Sequence, residues 1–96
     1  METKLKPEEI KLKLESMPLW AISVRDELCR ELVRPNFAAA VGLVNAIAIA
    51  AEAMGHHPDI LVYGWNKVRV STRTHTADGL TELDFQLAEK IDEIAG

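Results

Sequence analysis

Three histidines are the residues of this chain best suited to chemistry. His56 and His57 stand side by side before Pro58, directly after a long apolar run, and His75 comes just ahead of an Ala77-Asp78-Gly79 turn. An unperturbed imidazole titrates near pH 6.5, so several of them around one point suit proton transfer at neutral pH. Packing alone does not account for the pair, because His fills a core poorly and is costly to bury unpaired. Glu52, one helical turn before His56, can hydrogen-bond an imidazole and fix its tautomer. The competing structural reading is that His56 compensates a helix C-terminal dipole while His57 sits in a solvated turn. Three imidazoles can also hold zinc. Adjacent residues in extended chain point to opposite sides, however, and no HxH, HxxxH or cysteine pair is present, so no metal is expected. Ser16, Ser23 and Ser71 lack a glycine elbow, and no phosphate-binding loop occurs. The basic stripe Lys67, Arg69 and Arg73 reads as a solvated sheet face.

These residues must be positioned by the elements around them. Pro7 starts a first helix, with Glu8 and Glu9 at its positive end, and Pro18 stops it. Alternation over residues 20–24 marks a short strand, Arg25-Asp26 a turn, and residues 27–33 a second strand. Between Ala38 and Ala51 only Gly42 and Asn45 interrupt a run of apolar residues, which predicts a helix over Phe37–Met54 with Gly55 as its left-handed cap. A helix apolar nearly all round needs cover on two sides: a sheet on one, another subunit on the other. Residues 60–63 and 67–74 predict two further strands. Thr81 and Asp84 form a capping box before a final helix whose stripe is Leu80, Leu83, Leu87, Ile91 and Ile94. The order α-β-β-α-β-β-α predicts an α+β fold, a four-stranded antiparallel sheet covered by helices.

The totals bound the function. A chain of 96 residues suits one domain. A domain this size buries only roughly 60–65% of its surface, so self-association is a natural supplement. A net charge of −4 argues against nucleic acid as a direct partner. The single cysteine, Cys29, allows no internal disulfide and reads as a half-buried hydrophobe. Residues 1–6 are charged and contain no apolar leader, and the apolar run is short for a membrane span, so the expected setting is cytoplasmic and away from membranes.

An acid, three residues, His-His-Pro, an aromatic, nine residues, His and a downstream Asp form a set that resembles the pterin-4a-carbinolamine dehydratases, some of which double as dimerisation cofactors of a homeodomain transcription factor. Here the set reads Glu52, His56-His57-Pro58, Trp65, His75 and Asp84, and "NKV", "THTADGLTELD" and "LAEKID" are similar to family text. The family's aromatic before "NKV" is often Tyr. Here it is Trp65, with one extra residue before it and Tyr63 close by, and Gly55 stands where the family often has a polar residue. The resemblance implies dehydration of a 4a-hydroxytetrahydropterin to a quinonoid dihydropterin, in tetrahydrobiopterin recycling or related pterin metabolism, with no cofactor. It implies His56 and His75 as the acid/base pair and His57 chiefly as a substrate contact. Pro58, Thr74, Thr76 and Ala77 would hold the pterin, Trp20 would offer a stacking wall, and Glu52 would orient an imidazole. It further implies a homodimer or homotetramer built through a sheet edge and the Phe37–Met54 helix. Two alternatives stand beside this reading: a helix-mediated protein-binding role, and the same fold acting on a different pterin such as a molybdopterin precursor.

Overall fold

Each element marked by the sequence is present in a computed structural model that describes residues 3–96. They run α1 (Pro7–Glu15), β1 (Ala21–Ile22), β2 (Leu28–Val33), α2 (Phe37–Met54), β3 (Asp59–Tyr63), β4 (Lys67–Thr72) and α3 (Glu82–Ala95). The strands form one sheet in the order β1-β2-β4-β3, with every neighbouring pair antiparallel. The fold is therefore the expected α+β arrangement.

Period-two patterning decides which sheet face is covered. Leu28, Leu32, Val68, Val70 and Thr72 are buried, and the register sets Leu28 opposite Thr72 and Leu32 opposite Val68. The alternate residues Glu31, Arg69 and Leu61 face solvent. Helix α2 lies against α3 and touches β3 and β4. Its buried residues, Ala40, Leu43, Ile47 and Ala51, follow a helical spacing along one side. From α3, Phe85, Leu87, Ala88 and Ile91 complete the core. The sheet-covering half of the expectation for α2 thus holds. Outside that stripe Phe37, Val41 and Ile49 are exposed. By length and mean hydropathy, 1.8, α2 would also pass for a membrane span.

Apart from a one-residue trim of β2, two strands are shorter than their sequence patterns, for different reasons. β1 keeps only Ala21 and Ile22. Trp20 is drawn into the turn closing α1, where its N–H bonds the Met17 carbonyl, and Ser23 Oγ accepts the N–H groups of Arg25 and Glu27. β4 ends at Thr72 because its neighbours run out: β2 supplies Leu28 opposite Thr72 and β3 supplies Asp59 opposite Ser71. His75 therefore lies not on the strand end but on a short 3-10 turn, His75–Ala77, pinned by a bridge between Thr74 and Gly79.

Candidate active site

The exit of α2 sets the two adjacent histidines on different courses. Gly55 adopts φ 66, a left-handed value that costs glycine little. Its N–H bonds the Glu52 carbonyl, and the His56 N–H reaches back to the Ala51 carbonyl at 3.1 Å. This paired closure turns the chain so that His56 is buried while His57 is 65% exposed at its side chain.

Buried His56 is not unpaired. Its Nε2 lies 2.6 Å from Oδ1 of Asp84, which is fully buried at the start of α3. Thr72 donates its hydroxyl to the same oxygen at 2.7 Å. The other oxygen, Oδ2, accepts the Thr74 hydroxyl at 2.8 Å and the Thr81 backbone N–H at 2.9 Å. Because the Thr74 proton is committed to Asp84, the 2.8 Å contact between Thr74 and Thr81 makes Thr81 the donor. Three donors, from Thr72, Thr74 and Thr81, already point at this acceptor group, and a carboxylate oxygen facing His56 Nε2 at 2.6 Å makes that nitrogen the fourth. Nδ1 is left without a hydrogen-bond partner among the described residues.

This extends the reading of Asp84 and specifies that of Glu52. Asp84 does close the capping box, but it is also the group that orients His56. The signal was present in the sequence. Asp84 falls on the inward stripe with Leu80, Leu87 and Ile91, where a carboxylate needs internal donors. Glu52, by contrast, serves the other imidazole, with its Oε1 2.8 Å from His57 Nε2 in an exposed pair.

His56, His57 and His75 all line one cavity of about 310 Å³, together with Gly55, Arg73, Thr74, Thr76 and Leu83. Ligand sites typically start near ~300 Å³, so a compact bicyclic molecule suits this one better than a large one. His75 and Thr76 are exposed on the 3-10 turn, and Thr74 beneath them is buried. Among the expected substrate contacts, Pro58 and Ala77 are half-buried neighbours in the chain but do not line the cavity. Trp20 is elsewhere. It is 5% exposed, and its indole N–H donates to Asp92 Oδ1 at 2.9 Å, the oxygen that Arg30 Nη1 also meets at 2.6 Å. A ring held between sheet and α3 in this way cannot wall the histidine cavity.

Neither candidate for the family aromatic reaches the cavity. The Tyr63 hydroxyl donates to Glu31, and Trp65 is exposed at φ 60 in the loop of Gly64, Trp65 and Asn66 that joins β3 to β4. Two lining residues were not anticipated. Leu83 turns from the apolar stripe towards the histidines, and Arg73 leaves the basic stripe once β4 has ended. A second cavity, about 240 Å³, lies by the open sheet face between Arg25, Glu27, Asp59 and Arg69 and holds no imidazole. Among the described residues no group of three or more His, Cys, Asp or Glu side chains is disposed to hold a metal ion.

Known proteins resemble this chain over nearly its whole length. A Chloroflexus aggregans protein, named provisionally as a pterin-4-alpha-carbinolamine dehydratase, is 45% identical over 93 residues, covering 97% of this chain and 98% of its own. The crystal structure of a transcriptional coactivator/pterin dehydratase from Brucella melitensis superposes with a TM-score of 0.90 at 32% identity, covering 98% of this chain and all of that one. The fold alone is shared with a pterin dehydratase-like protein identified as a RuBisCO assembly factor in the alpha-carboxysome, at a TM-score of 0.67, 24% identity, and coverage of 80% of this chain and 89% of that one. The family described as pterin 4 alpha carbinolamine dehydratase matches residues 3–94, the same span that builds the sheet, its helices and the histidine cavity, and the chain belongs to that family.

Proposed function

We propose that the chain is a hydro-lyase that removes water from a 4a-hydroxytetrahydropterin by histidine acid/base catalysis. The observation that carries this reading is the convergence of His56, His57 and His75 on one cavity, with His56 locked through Nε2 to buried Asp84. The reaction breaks the C4a–O bond and the N5–H bond and forms the C4a=N5 double bond of the quinonoid dihydropterin. The departing hydroxyl takes one proton and N5 releases one, so the protein's proton count is unchanged over a turnover. An oriented imidazole with a free Nδ1 suits removal of the N5 proton, and Asp84 would stabilise the imidazolium that forms. We assign that base to His56. We assign the acid that protonates the leaving oxygen to His75, exposed on the 3-10 turn that lines the same cavity. His57, steadied by Glu52, is assigned to holding the ring. The family match and the names of its relatives support the dehydratase reading, and we assign the reaction to tetrahydrobiopterin recycling or related pterin metabolism.

The test is the decay of a freshly generated 4a-hydroxytetrahydropterin followed by stopped-flow absorbance. Catalytic amounts of protein are expected to speed dehydration well above the spontaneous rate, by roughly 10²-fold for each placed imidazole. A decay rate indifferent to protein would end the proposal.

A second reading rests on α2. Phe37, Val41 and Ile49 leave apolar surface of the helix exposed outside its buried stripe. Exposed apolar surface on a helix marks a contact with another chain. We propose that a second copy covers it, giving a homodimer or homotetramer. Ile49→Lys is expected to lower the molar mass measured by light scattering while leaving the circular dichroism of the chain intact. An unchanged mass would remove α2 from the interface.

A further inference from the structure

The histidine cavity has a cationic side that dehydration of a neutral pterin does not require. Arg73 lines it, and its Nε is buried with no hydrogen-bond partner among the described residues. The guanidinium has five N–H donors. One is engaged, from Nη2 to Asp78 Oδ1 at 2.8 Å. Arg73 is not a loose surface cation, because its neighbours Thr72 and Thr74 both donate to Asp84, so the network that fixes His56 also fixes the backbone carrying Arg73. Asp78, its partner, is 86% exposed and sits at φ 54 on the far end of the 3-10 turn. The Arg73 hydrogen bond and charge, with a smaller contribution from Lys4, hold the Asp78 carboxyl below its usual value. Lys4 lies over Gly79 next door. Arg73 is thus the cation paired with Asp78 beside the imidazoles, and the charge of Lys4 adds to it from further off.

We propose that Arg73 is a specificity residue for a reduced pterin carrying an anionic group, such as a phosphate ester, on its C6 side chain. The inference rests on the dehydratase reading of the same cavity. C6 is bonded to N5, the atom that must lose its proton, so a side chain at C6 leaves the ring from its reacting edge. With the histidines around that edge, the side chain is released into the same cavity, where Arg73 stands. A planar guanidinium grips phosphate or carboxylate through two parallel N–H bonds, which a hydroxyl-bearing side chain cannot match. The exposed Asp78 occupies the guanidinium in the empty site and yields it at small cost, because a solvated ion pair is weak.

Two reduced pterins identical but for a side-chain phosphate monoester test this. Their Kd values are measured by pterin fluorescence on the non-reactive dihydropterin forms, and their kcat/KM values on the 4a-hydroxy forms. The wild-type protein is expected to prefer the phosphorylated compound by roughly 10- to 100-fold in both, as charge-assisted hydrogen bonds imply. Arg73→Gln should bring the ratio close to one. Asp78→Asn, which keeps a side chain that tolerates the left-handed backbone, should widen it, because a competing anion is gone. Inorganic phosphate should compete only weakly, in the millimolar range. If it abolishes the preference at micromolar levels, the subsite serves free phosphate and the proposal fails. A wild-type ratio near one, or a ratio that survives Arg73→Gln, also overturns it. Fluorescence keeps the two readings apart. A binding preference without turnover sinks the dehydratase and leaves Arg73 as a pterin-phosphate contact, whereas turnover without preference does the reverse.

Discussion

Replacing His56 and His75 together is expected to bring dehydration down to the spontaneous rate, a loss of about 10⁴-fold if each imidazole contributes ~10²-fold. Each single alanine variant should lose about 10²-fold in kcat, because one proton transfer remains assisted. His57→Ala should act differently, raising KM more than it lowers kcat, since its ring is assigned to holding substrate. His56→Ala carries a structural cost as well, because it leaves Asp84 buried with one donor fewer. His56→Gln separates the two effects. Its side-chain amide can still offer an N–H to Asp84 but places no titratable nitrogen in the cavity. A folded and inactive His56→Gln protein supports the assignment. Single variants within a few-fold of the wild type, together with a double variant that still accelerates decay, would remove both residues from the mechanism.

Asp84 is expected to be the residue least tolerant of change in the chain. Asp84→Ala strips the acceptor from the His56 ring, from the Thr72 and Thr74 hydroxyls, and from the Thr81 N–H, all of them buried residues. Breaking a buried charged network of this kind typically costs about 3–5 kcal/mol, a large part of the stability of a small domain. Asp84→Asn is milder in volume and more informative. One oxygen becomes an NH₂ group, which must face either the Thr74–Thr81 side or the His56–Thr72 side. In the first case a buried donor of the cap is orphaned, at about 1–3 kcal/mol. In the second the amide donates to His56, Nε2 must become the acceptor, and Nδ1 can no longer take a proton. Thermal unfolding and kcat read the two outcomes independently. An Asn variant with wild-type stability and wild-type kcat would show that Asp84 neither holds the cap nor sets the tautomer.

The sequence by itself determined the order of elements, because each is decided locally. Helical spacing of Leu80, Leu87 and Ile91, alternation of Val68, Val70 and Thr72, and the stops at Pro18 and Gly55 are short-range features that survive without knowledge of the rest of the chain. It also marked His56, His57 and His75 as the candidate chemistry. The length of β4 was not legible, since a strand ends where its neighbours end, and those are set by β2 and β3. Nor were the partnerships of the imidazoles. Spacing offers Glu52 to an imidazole without saying which, and the α2 closure decides it by turning His56 inward to Asp84, 28 residues away, while His57 takes Glu52. Trp20 had the right chemistry for a stacking wall and the wrong place, because Asp92 on α3 claims its indole. Side-chain type, a local property, announced which groups could react. Their pairing depends on where two distant elements cross, and only the packing of α2 and α3 on the sheet decided that.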